Sequence, residues 1–166
     1  DRCPERAWQE CLGPVDIVVL DGWCLGATPQ SGVALQDPVN ALEANEDSDA
    51  VWRSYVNDQL GGAYQQLFGM VDLLIMLKVP SMESVFEWRT LQEKKLAERV
   101  RYLEKAGQPG ELKIMSEAEI QRFIMHYERL TRMMLDTMPE KADATCFLNE
   151  NHKACKILIN NPLAKR

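Results

Sequence analysis

The feature that most constrains the fold is an apolar run that ends in a carboxylate, VDIVVLDGWCLG at residues 15–26. Four consecutive apolar residues lead directly into Asp21 and Gly22: Ile17, Val18, Val19 and Leu20. A continuous apolar run that stops at a turn is typical of a strand buried on both faces of a parallel sheet. The run therefore predicts a strand over residues 15–20 that carries Asp21 to one edge of such a sheet.

Composition limits the kind of protein that can contain this strand. The 166 residues predict one domain, residues 1–166, and the net charge of −6 disfavours nucleic acid and anionic membrane as partners. Neither a membrane span nor a signal peptide is recognisable, and five scattered cysteines suit a reducing compartment, so we expect a cytoplasmic protein. Because the chain starts at Asp1 and a buried strand follows soon after, we expect further residues to precede it.

The rest of the chain alternates between predicted helices and strands. A loop over 22–36 precedes a short helix opened by Asp37 and Pro38, and an amphipathic helix runs over 51–68. A second buried strand lies over 73–79, a long helix over 82–106, and a capping box at Ser116 opens another long helix that ends near Pro139. Two strands follow, over 145–148 and 154–159. This order predicts an α/β fold with a mostly parallel sheet flanked by helices.

Ligands of such sheets bind beyond the carboxyl ends of the strands. This rule predicts that Asp21, the 22–36 loop and the residues after Val79 share one rim. An acid at this rim can bind a magnesium ion in a phosphate site, although a simple turn-initiating Asp explains the pattern equally well.

Two sets of cationic residues have both a functional and a structural interpretation. Arg89 shares a helix face with Gln92 and Glu93, where it can bind a phosphoryl group or form an ordinary surface pair with Glu93. On the last long helix a cationic stripe is explained most simply by solvent exposure: Arg122, His126, Arg129 and Arg132. The sequence contains neither the phosphate-binding G-x-x-x-x-G-K-[ST] motif nor a G-x-S-x-G motif.

A series of motifs in the same order resembles the C-terminal portion of the D-glycerate 3-kinase-like proteins. The motifs are DGWCLG at 21–26, PVNALE at 38–43, WRSYVNDQL at 52–60, EWRTLQE at 87–93 and MSEAEIQRFIMHYERL at 115–130. These proteins belong to the P-loop kinases, with uridine kinase, phosphoribulokinase and bacterial pantothenate kinase. The resemblance implies a partial P-loop kinase fold in which residues 82–138 form long lid helices and residues 144–159 the C-terminal strands.

The resemblance also implies a reaction, the transfer of the γ-phosphoryl group of ATP to a hydroxyl of a small metabolite such as D-glycerate. Asp21 would be a catalytic residue and magnesium ligand, and Arg89 and Gln92 would bind ATP, with Arg89 also catalytic. The residues implied to bind the acceptor are Gly22, Trp23 and Arg129.

The chain departs from this family in lacking the phosphate-cradling loop, and its DGW stands where many relatives have EGW. We therefore expect residues 1–166 alone to bind ATP poorly and to be inactive. The alternative is a non-catalytic α/β module that binds a partner or regulates it.

Overall fold

The computed structural model describes residues 5–10, 12–107 and 113–160. After a 3-10 turn at Glu5–Ala7 and another at Val33–Leu35, eight regular elements follow. In chain order they are α1 (Ala41–Glu46), α2 (Val51–Gly61), α3 (Ala63–Phe68), β1 (Ile75–Lys78), α4 (Met82–Lys105), α5 (Glu117–Lys141), β2 (Ala144–Leu148) and β3 (Ala154–Ile159).

The sheet has three strands in the order β1, β2, β3 within the described residues. β1 pairs with β2 in parallel, with Ile75 opposite Ala144, whereas β2 and β3 pair antiparallel. The antiparallel pair follows from its short connection, in which the Asn149 N–H donates to the Lys153 carbonyl over 2.8 Å. The fold is therefore α/β, as predicted, but its sheet is small and mixed rather than mostly parallel.

The prediction of a buried strand over residues 15–20 is wrong for this structure. The segment forms no strand, and Val18 and Val19 are 81% and 85% exposed. A parallel strand needs hydrogen-bonded neighbours and cover on both faces, and the described residues offer this segment neither. β1 is likewise exposed along one side, with Ile75 57% and Leu77 65% exposed, so it is not the doubly buried strand that its apolar sequence suggested.

The long helices begin where the sequence predicted. The Ser81 hydroxyl accepts from the Ser84 N–H and opens α4, and the capping box of Ser116 and Glu119 opens α5. α4 ends at Lys105, close to the predicted end, whereas α5 continues through Pro139 to Lys141.

The shorter helices differ from prediction in two details. The N-cap of α1 is Asn40, whose side chain accepts from the Glu43 N–H, so the helix begins later than Asp37 and Pro38 suggested. The predicted helix over 51–68 is broken at Gly62, whose backbone angles are φ −108° and ψ −108°. The break divides the predicted helix into α2 and α3.

The core lies where α5 meets the 22–36 loop and α2. Six buried residues form it: Ala27, Leu60, Leu130, Met134, Met138 and Ala142. The loop is therefore anchored against α5 by its own Ala27. Among the described residues, no helix is long and apolar enough to cross a membrane, and Cys24, Cys146 and Cys155 are unpaired thiols.

Candidate functional site

A cleft of about 540 Å³ lies between residues 20–25, β1, the start of α4 and α5. We call it the Asp21 cleft. Its walls are mostly apolar, and its polar lining includes Asp21, Trp23, Arg89, Tyr127 and Thr131. Clefts of this size with a few converging polar groups are typical small-molecule sites.

Asp21 and Gly22 stand at one side of this cleft, beside residues of β1. Among the described residues that line the cleft, Asp21 is the only acid and Arg89 the only cation. Asp21, the start of the 22–36 loop and the residues after Val79 thus line one cleft, although the strand predicted to carry Asp21 there is absent from the structure. The side chains of Asp21 and Arg89 line the same cleft, although the two residues are far apart in the sequence.

Arg89 is held in place by three neighbours. Its Nη2 lies 2.5 Å from Glu93 Oε1, its Nη1 donates to Gln92 Oε1 over 3.3 Å, and its guanidinium stacks over the Phe123 ring at 5.4 Å. The Glu93 carboxylate is itself fixed, because it also accepts from the Met115 N–H over 3.1 Å. Arg89 therefore pairs with Glu93, which is buried rather than at the surface, and also lines the cleft. Its binding of a phosphoryl group stays a prediction.

An aromatic pair forms the wall between Asp21 and α5. The rings of Trp23 and Tyr127 meet edge to face with centroids 4.8 Å apart, and the Trp23 Nε1–H donates to Thr131 Oγ1 over 2.9 Å. This contact fixes Trp23 immediately after Asp21 and Gly22. A small hydroxylated molecule in the cleft would meet one aromatic face and one hydroxyl group there.

Tyr127 and Thr131 were not identified from the sequence as site residues. Phe123, Tyr127 and Thr131 follow one another at intervals of four on α5, and all three line the cleft. The helical spacing was visible, but it is the same spacing that core residues use. Only the position of the 20–25 segment against this face distinguishes the two roles.

Arg129 lies outside the Asp21 cleft and is 8% exposed. Its Nε and Nη2 donate to the two Glu43 carboxylate oxygens over 2.8 and 2.6 Å. Its Nη1 and Nη2 also donate to the carbonyls of Ala34 and Asp37. Arg129 therefore ties the end of the 22–36 loop and α1 to α5, and its contact with an acceptor stays a prediction.

The pKa of Glu43 reflects this environment. Burial by itself would raise the pKa, but hydrogen bonds from Arg129 and from the Val39 N–H outweigh burial and hold it below its usual value. The ionised pair is thus the stable form inside the protein.

The donor set of the Asp21 cleft suits a magnesium ion that is bound mainly by a phosphate ligand. Within the described residues, no group of three or more His, Cys, Asp or Glu side chains is arranged to hold a metal by itself. Magnesium in phosphoryl-transfer sites commonly takes one or two carboxylates and fills its shell with phosphate oxygens and water. The single carboxylate of Asp21 fits that pattern.

Sequence comparison identifies relatives that are kinases by name. The chain is 26% identical over 138 residues to "D-glycerate 3-kinase, chloroplastic" of Arabidopsis thaliana, covering 83% of this chain and 25% of that protein. It is 27% identical over 143 residues to "Uncharacterized kinase mug58" of Schizosaccharomyces pombe, covering 85% of this chain and 46% of that protein. The chain thus spans less than half the length of these curated relatives. No protein-family model matches it.

Solved structures show the same fold. D-glycerate 3-kinase from Cryptococcus neoformans superposes with a TM-score of 0.62 at 20% identity, over 89% of this chain and 51% of that one. The YGR205w protein superposes with a TM-score of 0.52 at 18% identity, over 82% of this chain and 45% of that one. The relatives of this chain are D-glycerate 3-kinase and related kinases, which confirms the resemblance inferred from its motifs.

Proposed function

We propose that residues 1–166 form the lid and acceptor-binding part of an ATP-dependent small-molecule kinase, with a D-glycerate-like hydroxy acid as the acceptor. The observation that carries the proposal is the shared cleft of Asp21 and Arg89. A carboxylate for a metal and a guanidinium for phosphate oxygens are the two charges that phosphoryl transfer requires from such a site.

In this reaction the acceptor oxygen forms a bond to the γ-phosphorus while the bond to the bridging oxygen of ADP breaks, and the hydroxyl proton is released to solvent. Magnesium would supply charge neutralisation on the phosphate oxygens, and Asp21 would hold it. Arg89 would bind a transferring phosphate oxygen, and Gln92, which accepts from Arg89 Nη1 over 3.3 Å, would orient it. Gly22 leaves the approach to Asp21 open, and Trp23 would pack against the acceptor.

The nucleotide site would need a phosphate-cradling segment from outside residues 1–166. The chain contains no G-x-x-x-x-G-K-[ST] motif, so it offers no nest of backbone N–H groups around the β-phosphate. Exposed apolar residues support this view, because Val18 and the β1 residues Ile75 and Leu77, which also line the Asp21 cleft, offer surface against which such a segment can pack.

The same exposed surface favours a second candidate, a non-catalytic module that binds a partner protein. Contiguous apolar surface marks interaction sites both in enzymes and in non-catalytic proteins. The coding sequence upstream of Asp1 separates the two candidates. A strand followed by G-x-x-x-x-G-K-[ST] supports the kinase, whereas an initiator Met directly before Asp1 rejects it for this polypeptide.

The kinase proposal is tested with the complete product of the gene. We expect it to release ADP from Mg-ATP when D-glycerate is present, and we expect Arg89→Ala to lower kcat/KM at least about tenfold, or about 1.4 kcal/mol of transition-state stabilisation. The matched control is Arg101→Ala, which removes the same charge from an exposed position of α4 outside the Asp21 cleft.

Equal activity of the Arg89 and Arg101 variants would remove Arg89 from the mechanism. Turnover with another small alcohol but not with D-glycerate would keep the reaction class and reject the acceptor. Absence of ATP turnover with any hydroxylated acceptor would favour the non-catalytic module.

A further inference from the structure

A second cleft, of about 960 Å³, separates α4 from the start of α5. We call it the α4–α5 cleft. Five cationic side chains line it, two of them after the end of α4: Arg89, Lys95, Arg99, Lys113 and Arg122. The sequence analysis explained Arg122 by solvent exposure, but the helix pair brings it and the other four charges to one concave surface.

Three of the five cations are already paired with carboxylates. Arg89 pairs with Glu93, Lys113 with Glu119, and Arg122 with Glu46. Glu119 is firmly ionised, because hydrogen bonds from the Ser116 N–H and hydroxyl and the nearby Lys113 lower its pKa to about 2. These carboxylates are therefore committed to their own partners.

Two cations remain. Within residues 5–10, 12–107 and 113–160, no carboxylate lies at ion-pair distance from Lys95 or Arg99. Residues four apart on a helix are neighbours, with Cβ atoms about 5–6 Å apart, so both side chains reach one small anion. A protein whose net charge is −6 thus concentrates unpaired positive charge at one place.

We propose that Lys95 and Arg99 form an anion-binding site for a phosphorylated small molecule with at least two negative charges. The site lies along α4 from Arg89, which lines both clefts, but it does not include Asp21. Guanidinium binds two phosphate oxygens in parallel and ammonium adds a compact charge, which explains why this pair selects phosphate. The concave shape and the volume of about 960 Å³ are within the range of small-molecule sites, which suits a metabolite better than an extended polymer.

Two sources of the phosphate group share this chemistry. The anion is either a separate phosphorylated metabolite or the phosphate chain of a nucleotide held at the Asp21 cleft. The proposal commits to the separate metabolite, because Lys95 and Arg99 do not line the Asp21 cleft. It does not depend on the proposed kinase reaction, since the site can bind its anion whether or not ATP is turned over.

Inorganic pyrophosphate is the probe, and binding is measured by calorimetry at low ionic strength without ATP or acceptor. The double variant Lys95→Gln/Arg99→Gln should bind pyrophosphate at least about tenfold more weakly than the parent protein. The matched control is Lys94→Gln/Arg101→Gln, which removes the same two charges from the same helix outside the cleft; all four residues are exposed, so the variants differ in position and not in burial. The control should bind within about twofold of the parent, because exposed charges outside a site contribute little.

Three results would overturn the proposal. The first is the absence of measurable pyrophosphate binding by the parent protein. The second is equal weakening in the two double variants, which would reduce the effect to net charge. The third is loss of binding in Arg89→Ala with none in Lys95→Gln/Arg99→Gln, which would assign the anion to the Asp21 cleft.

Discussion

The two sides of this molecule satisfy their side chains in opposite ways. Where α5 meets the 22–36 loop, charged groups are buried and fully engaged, as with Arg129 and Glu43 at 8% exposure each. On the side of the sheet and residues 15–20, apolar groups are exposed. All six residues of β3 are exposed as well. We call the first the closed region, because its charged groups are satisfied by contacts within the protein. We call the second the exposed region, because its apolar side chains are in contact with water, which is unfavourable.

We expect the two regions to have different roles, one in stability and one in association. The closed region fixes the loop that carries Asp21 and Trp23 against α5, so it can position a cleft without help. The exposed region supplies one wall of that cleft through Leu20, Ile75 and Leu77, and the rest of it is available for a further segment or partner. Stability should therefore depend on the first region and association on the second.

The largest expected effect lies in the closed region. Arg129→Met leaves the Glu43 carboxylate buried without its partner, and we expect the free energy of unfolding to fall by about 3–5 kcal/mol. Urea denaturation measures it. The control Arg132→Gln removes a cation that is 52% exposed beside Glu128, and it should cost less than about 1 kcal/mol.

The double variant Glu43→Gln/Arg129→Met tests the cause, because it removes the uncompensated charge. It should be more stable than Arg129→Met alone. Equal costs for Arg129→Met and Arg132→Gln would show that the closed region is not held by this pair.

The smallest stability effect is expected in the exposed region. In residues 1–166 alone, Val18→Ser should change the free energy of unfolding by no more than about 0.5 kcal/mol, because Val18 is 81% exposed there. Urea denaturation again measures it, with Leu130→Ala, at a core position, as the contrasting variant that should cost about 2–5 kcal/mol. A loss above about 2 kcal/mol for Val18→Ser would mean that residues 15–20 are covered in solution.

Local sequence signals predicted much of the closed region. Its contacts between residues far apart in the sequence could not be predicted in this way. Ser81 and the capping box at Ser116 gave the starts of α4 and α5, because a cap acts within one turn of its own residue. The pairing of Glu43 with Arg129 spans 86 residues, so nothing near either residue revealed it. Arg129 consequently looked like part of a solvated stripe.

The prediction of a buried strand in the exposed region was wrong for a related reason. Residues 15–20 have the composition of a buried strand, but burial depends on what packs against a segment rather than on the segment itself. Chain order predicted one rim for Asp21, the 22–36 loop and the residues after Val79, and Asp21, Trp23 and Met82 do line the Asp21 cleft. The roles of Tyr127 and Thr131 needed the fold.

The central claim is that the Asp21 cleft is the phosphoryl-transfer site, and Asp21→Asn tests it most directly. This change keeps the size of the side chain and removes the charge that would hold magnesium. With the complete gene product, Mg-ATP and D-glycerate, we expect ADP release to fall at least about a hundredfold, or about 2.7 kcal/mol, with unchanged urea denaturation. ADP release at the parent rate in the folded Asp21→Asn protein would contradict the account.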